Sequence, residues 1–343
     1  MASTKVNHGI ALSSETGKLY ASSSNDVFAW AYNGIEGAVR GSPQTIVTGM
    51  VNNDHVTRTL LFSKDPDAGK TTLLVARGSN ENLDLNTTDI SVGRSQIRAF
   101  DVGSNATSQF PYDYATNGTV IGWGLRNSVG LAEEPTTNAL YSVENSSDDL
   151  EREGVDIHND NPGEELNFHG RISDRTSSTR IGANFGYPTC FALWNSTNFP
   201  SLGSLIVGDQ FVIDSSKNNS ECSVNHIQPR LTFHAHMAPL DMIFTPNGST
   251  AYISFHGSWD RAIPVGHKVS QVAFYGGQPM ALSNSTTAAE DIMWNADMSI
   301  CPEGCFRPVG LALDSKGRIF VASDSTGEIY VLQKTAATGD DES

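Results

Sequence analysis

Basic residues are scarce. The 343-residue chain carries 22 Lys and Arg against 38 Asp and Glu, a formal net charge of −16. A nucleic-acid binder usually presents a basic face, so this balance argues against that class and fits a soluble protein. Long apolar runs are missing. None reaches the roughly 18 residues needed to cross a bilayer, so no membrane role is expected. Charged residues of both signs make up only 17%, which disfavours a coiled coil or a charged disordered chain. Cysteine is limited to Cys190, Cys222, Cys301 and Cys305. No Cys-x-x-Cys pair exists, which makes a zinc site a poor rival to two disulfides. The pairs expected are Cys301–Cys305, closing a five-residue loop, and Cys190–Cys222. The front of the chain, Met1 to His8, lacks the apolar core of a secretion signal.

What is present is rich in turns. Gly reaches 31. Asn-x-Ser/Thr sequons stand at Asn86, Asn105, Asn117, Asn145, Asn195, Asn218, Asn247 and Asn284. With the paired cysteines they indicate a secreted, extracellular glycoprotein, its signal removed or the front of its gene missing.

One phrase recurs five times: a polar or Gly/Pro turn, a short apolar strand, a turn, and a second apolar strand. The copies start at Asn7, His55, Leu125, Ala238 and Arg307. A third strand follows, as in Val27-Phe28-Ala29-Trp30 or Ile329-Tyr330-Val331-Leu332. Repeats of roughly 40 to 50 residues with several short strands each indicate an all-β fold of propeller blades. The third copy is followed by a long insertion, about residues 145–235, expected to hold that blade's outer strands and extra loops. The whole of 1–343 reads as a single propeller domain. A stacked β-sandwich leaves the five-fold phrase unexplained.

In a propeller, residues just before each innermost strand line one mouth of the channel. Here those positions hold Asn7/His8, His55/Arg58, Arg126/Asn127, His236/Met237 and Arg307. Cations in phase with the repeat of an acidic protein suggest an anionic ligand with several carboxylates. Taken singly, each Arg is as well explained by a turn or an Asp partner.

In these words and this order the sequence resembles the soluble glucose/sorbosone dehydrogenases, quinoproteins that use pyrroloquinoline quinone (PQQ), and within them the fungal pyranose dehydrogenases. The phrases are His55-Val-Thr-Arg58-Thr-Leu, Gly124-Leu-Arg126-Asn127-Ser-Val-Gly-Leu-Ala, Tyr141-Ser-Val-Glu-Asn-Ser-Ser-Asp-Asp-Leu150, Asn161-Pro-Gly-Glu-Glu-Leu-Asn167, Gly182-Ala-Asn-Phe-Gly-Tyr-Pro188, Phe255-His-Gly-Ser-Trp-Asp-Arg261 and Arg307-Pro-Val-Gly-Leu-Ala. The resemblance implies oxidation of the C1 hydroxyl of a pyranose by hydride transfer to PQQ. It implies His55 as general base, where a surface histidine is the plainer reading. It implies Arg126 and Asn127 as the pair that grips the cofactor, with His256, Arg261 and Arg307 as further contacts. Trp259 either stacks there or packs the blade, and Lys268 is a weaker candidate. Calcium is implied at the carbonyls of Ser146 and Ser147, with Asp148, Asp149, Glu164 and Glu165 nearby in sequence.

Six-bladed members of that family begin with a further blade, which supplies more basic cofactor contacts. Only five copies are visible here, so an open arc lacking the first blade is expected, with Ile10, Leu12, Leu311 and Phe320 uncovered at its ends. The resemblance also implies a one-electron acceptor such as a cytochrome; no nucleic acid or membrane is expected as partner, and the chain is expected to be a monomer. Two other functions remain open at this point: a calcium-dependent lactonase on a propeller, needing buried carboxylate ligands rather than the arginines, and a binding propeller with no catalysis.

Overall fold

Each repeat folds as an antiparallel hairpin because its apolar residues alternate with a period of two and a turn interrupts them. The computed structural model describes residues 5–103, 110–174, 180–214, 217–259 and 261–334. The Asn105 sequon, Asp260 of the His-Gly-Ser-Trp-Asp-Arg phrase and the 338–343 tail lie outside them. The first blade comprises Ile10–Ser13, Lys18–Ser22, Val27–Asn33 and Ala38–Thr48. The second comprises Leu60–Phe62, Thr72–Arg77, Gln96–Asp101 and Thr119–Trp123. The third comprises Ser128–Glu134, Ala139–Glu144, Glu164–Arg171 and Leu231–Phe233. The fourth comprises Pro239–Phe244, Thr250–Phe255, Lys268–Tyr275 and Ala289–Trp294. The fifth has three strands, Pro308–Leu313, Ile319–Ser323 and Ile329–Leu332. In every blade the connection after the innermost strand holds a residue in the left-handed region: Gly17, Gly69, Asn138, Gly248 and Gly317.

Blades stack because one strand feeds two interfaces. In Thr72–Arg77, Leu73 and Val75 pack with Tyr20, Val27 and Ile46 of the first blade. The intervening Leu74 and Ala76 pack with Leu131 and Leu140 of the third. A strand buried on both faces reads as a continuous apolar run, which is why Leu73-Leu74-Val75-Ala76 does not alternate. Tyr141, Met242, Ile253 and Phe255 join the third and fourth blades, and Val269, Leu311, Ile319 and Val321 join the fourth and fifth. Each such side chain, fully buried, contributes about 1.5–3 kcal/mol.

Among the described residues, no strand pairing or hydrogen bond joins the first blade to the fifth. Ile10 is 68% and Leu12 53% exposed, as expected of an open arc. On the other end the expectation needs correcting. Leu311 is buried against the fourth blade, because the period of two turns it away from Phe320. The exposed residues there are Ile329 and Val331, on the face of Phe320.

The 145–235 stretch contributes Glu164–Arg171 and Leu231–Phe233 to the third blade. Its Ala183–Asn184 lies parallel to Thr119–Trp123 of the second. The disulfides are Cys190–Cys222 and Cys301–Cys305. No helix of the described residues is long and apolar enough to cross a membrane.

Candidate active site

The segments entering the innermost strands line up along one rim, and every blade boundary is stitched there by polar bonds. His8 Nε2 lies 3.0 Å from Thr59 Oγ1, and Thr59 Oγ1 donates to the Val129 carbonyl. The Ser79 amide donates to the Arg126 carbonyl at 2.8 Å. Glu164 joins the third blade to the fourth, its Oε2 accepting from the Ser146 amide at 2.7 Å and its Oε1 from the Ala238 amide at 2.9 Å. Arg307 joins the fifth to the fourth, donating to the carbonyls of His256 at 3.2 Å and Gly257 at 2.7 Å.

His55 and Arg126 come together at this rim. Gly78 lies between them: a Cβ on it would fall 2.5 Å from Asn127 Oδ1 and 2.8 Å from His55 Cβ, so the close approach requires glycine. His55 Nδ1 lies 2.9 Å from Ser79 Oγ, whose own hydrogen goes to the Glu81 carbonyl at 2.7 Å. The network therefore assigns the ring hydrogen to Nδ1 and leaves a lone pair on Nε2. Burial, and next the charge of Arg126, push the His55 pKa down to about 4. The ring is neutral at neutral pH, as a general base must be.

Arg126 is buried, and its guanidinium is ringed by oxygens. It donates to Asn82 O at 3.1 Å, Asn82 Oδ1 at 2.9 Å, Asp148 Oδ2 at 2.9 Å and Ser146 O at 2.5 Å, with Asn145 O at 3.4 Å. Beneath it, Glu144 accepts from the Arg126 amide at 2.5 Å and from Asn167 Nδ2 at 3.1 Å. Burial, then the neighbouring Glu165, hold the Glu144 carboxyl well above the usual range. Asp148 also faces His236 Nδ1 at 3.5 Å. Burial pushes this carboxyl up, but the bond from His236 and the charge of Arg126 outweigh it and hold it low.

The remaining sequence-expected residues divide. His256 lies in the Arg307 cluster with its Nε2 2.9 Å from Asp324 Oδ1, and it shares a pairing with Ala238 beside His236. Arg261 turns the other way, onto the Asn159 carbonyl, Asp160 at 3.5 Å and His234 Nδ1 at 3.2 Å, clamping the insertion. Trp259 is 65% exposed, which corrects the expectation that it packs the blade. Lys268 is paired with Asp291. Arg58, placed at the mouth by its position in the repeat, is buried instead. It holds the carbonyls of Met50, His55 and Thr57, because alternation along the chain turns it inward. Ser79, Asn82 and Glu144 were missed; the first two lie between the repeats, and Glu144 stands within the Tyr141–Leu150 phrase at the end of an otherwise apolar strand, where it was given no role.

The charge of Arg126 suits a quinone bearing carboxylates, although its N–H groups are engaged with protein oxygens; Asn127 Oδ1, an acceptor, is buried with no partner among the described residues and calls for a donor or a cation. Calcium fits the oxygens of Ser146 and Asp148 in kind. The Ser147 side chain donates to Asn82 O at 3.4 Å and is buried. Among the described residues, two other groupings with metal-ligand chemistry, Cys190–Cys222–His226 and His267–Cys301–Cys305, have their sulfurs committed to disulfides.

The chain is 49% identical over 345 residues to the pyrroloquinoline quinone-dependent sugar dehydrogenase of Hypocrea jecorina, covering 99% of this chain and 76% of that protein. It is 34% identical to the pyrroloquinoline quinone-dependent pyranose dehydrogenase of Coprinopsis cinerea over 96% of this chain, and spans 46% of that longer protein. A calcium structure of the Trichoderma reesei protein of Carbohydrate-Active Enzymes Family AA12 superposes with a TM-score of 0.91 at 50% identity, covering 98% of this chain and 82% of that one. Residues 1–335 match the TrAA12-like family, and the chain belongs to it.

Proposed function

We propose that this chain is a sugar dehydrogenase that oxidises the C1 hydroxyl of a pyranose with PQQ as oxidant and calcium as its companion ion. The observation that carries this is the meeting of a neutral His55 and the Arg126–Asn127 pair at one rim. PQQ, when bound, supplies a two-electron acceptor for the hydride leaving C1. His55 Nε2 takes the hydroxyl proton, so the C1–O bond gains double-bond character as the C1–H bond breaks. Ser79 holds the imidazole in the tautomer that permits this. Arg126 would hold the acidic cofactor, and its charge would favour the negative charge that PQQ takes up. Asn127, His256, Trp259, Arg261 and Arg307 remain the further candidate contacts, and Ser146 and Ser147 the candidate calcium ligands. Arg261 supports this least, since it faces the insertion.

The family's reduced cofactor must be reoxidised, and a one-electron acceptor such as a cytochrome suits that role. Two disulfides and the sequons support secretion. A lactonase reading gains nothing from the buried arginine.

The test is to add PQQ and calcium to the purified chain and follow quinone absorbance and sugar-driven dye reduction. Reduction of dye by an aldose, dependent on PQQ, is expected. Bound quinone with no reduction by any aldose would leave a binding propeller instead. Chelation of calcium should release the quinone; retention would remove calcium from the site.

A further inference from the structure

One cleft takes in Met237 and Lys268 of the sequence-expected residues but neither His55 nor Arg126. It has a volume of about 360 Å³ and lies between the third blade and the outer strands of the fourth. Trp194 lines one side, tilted against His234 with ring centroids 5.4 Å apart and planes 40° apart. Trp294 lines another side, together with the Lys268–Asp291 ion pair. Lys268 and Trp294 are direct cross-strand partners, so their side chains leave the sheet on one face. Lys268 Nζ sits 2.9 Å from Asp291 Oδ1, which also accepts from Ser270 Oγ at 2.8 Å. Buried Phe233 and Met237 complete the lining.

Trp294 is 60% exposed although it borders a concave surface. An indole at the edge of a cleft presents a flat apolar face on which a ligand of matching shape can stack. The ion pair beside it offers an ammonium donor and carboxylate acceptors. A stacking plane flanked by a donor and an acceptor matches a pyranose ring, whose C–H face is apolar and whose equatorial rim carries hydroxyls. A nucleotide would also stack, but its phosphates would meet a chain of net charge −16. The volume lies at the low end of ligand clefts, about 300–1,000 Å³, and suits a short saccharide.

We propose that this cleft binds a neutral, gluco-type saccharide from solution, at a site separate from the His55–Arg126 rim. The choice of a sugar over other flat neutral ligands rests on reading the chain as a sugar-oxidising enzyme. A second source of the same chemistry is close: Thr286, which lines the cleft, belongs to the sequon of Asn284.

The experiment titrates cellotetraose into the full chain carrying Asn284→Gln, without PQQ or calcium, reading calorimetry and Trp fluorescence. Binding is expected, weakened about tenfold or more by Trp294→Ala and largely restored by Trp294→Phe. Because Trp294 is exposed, these variants should keep the parent's melting temperature. No binding by the parent, or equal binding by Trp294→Ala, overturns the proposal. Binding by Asn284→Gln but not by the glycosylated chain would make the chain's own glycan the occupant and overturn a solution ligand. Trp294-dependent binding in a chain that oxidises no sugar with PQQ would reject the dehydrogenase reading and leave the cleft standing.

Discussion

Arg126 Nη1 donates to the carbonyl oxygen of Ser146 at 2.5 Å. The guanidinium therefore sits where a cation bound to that carbonyl would sit, among oxygens of Asn82, Asn145, Ser146 and Asp148. Arg126 and calcium cannot hold this seat together, since two cations a few ångström apart repel. Binding both PQQ and calcium requires Arg126 to leave the ring and turn to the cofactor.

This gives a prediction with two signs. Arg126→Ala should weaken PQQ binding by about 1.5–3 kcal/mol, the worth of a hydrogen bond to a charged group. The same variant, titrated with calcium in the absence of PQQ, should bind the ion about tenfold more tightly, because its competitor is gone. Calorimetry reads both. Weaker calcium binding by the variant would show that Arg126 holds the oxygens in place rather than excluding the ion.

His55→Ala should lower turnover by about 10²–10⁴-fold with PQQ binding largely intact. The pH profile gives an independent check. Burial and Arg126 hold the His55 pKa at about 4, so the base is neutral above that pH. Activity should persist as pH falls from 7 and decline only as it approaches about 4. An NMR titration of His55 in Arg126→Ala should show the pKa moving up towards the ordinary 6.5, because the guanidinium that opposes protonation is absent. A pKa unmoved by the substitution would assign the whole effect to burial.

These residues also show what the sequence could reveal. The blades were legible because each hairpin is local: Ile10–Ser13 pairs with Lys18–Ser22 across a short turn. The rim was legible because position within the repeat fixes position in space. The pairing of Ala183–Asn184 with Gly122–Trp123 was not, since two-residue strands carry no period and the partners lie some sixty residues apart. Arg58 and Arg126 look alike as letters next to a Thr and an Asn. Only the fold turns one into a strut for the Met50 carbonyl and the other towards Ser146.

Buried titratable groups other than the His55–Arg126 pair pull stability in opposite directions with pH. Burial raises Glu165 to about 7 and Asp241 to about 6. A raised carboxyl keeps its proton in the fold, so its contribution is full below the unfolded value, about 4.5 or lower, and is lost as pH rises through 6–7. Burial lowers His8 to about 4 and His169 to about 3. Those imidazoles stay neutral in the fold, so stability is lost as pH falls below the unfolded value of about 6.5. The melting temperature should therefore peak between about pH 5 and 6. Glu165→Gln should flatten the alkaline side. Calorimetric scans from pH 4 to 8 that rise steadily to pH 8 would contradict this balance.

The last prediction concerns the two uncovered faces. The register across the first blade puts Ile10, Leu12, Leu19, Phe28 and Trp30 on one face, opposite the one packed on the second blade. The fifth blade presents Phe320, Ile329 and Val331 away from the fourth. Each is the kind of apolar sheet face that elsewhere in this fold meets a neighbouring blade, and sheets carrying such faces pack on one another about 10 Å apart. The chain should therefore self-associate through these faces at roughly tens of micromolar, contrary to the monomer expected from sequence. Ile10→Lys with Ile329→Lys should return it towards a monomer, read by light scattering after size exclusion. Both side chains are more than two-thirds exposed, so the double variant should cost stability no more than about 0.5 kcal/mol per site. Leu282 is 75% exposed on a loop away from these faces, and Leu282→Lys should leave association unchanged. A parent chain that is monomeric at these concentrations, or a Leu282 variant as effective as the double one, would mean that the end faces do not drive association.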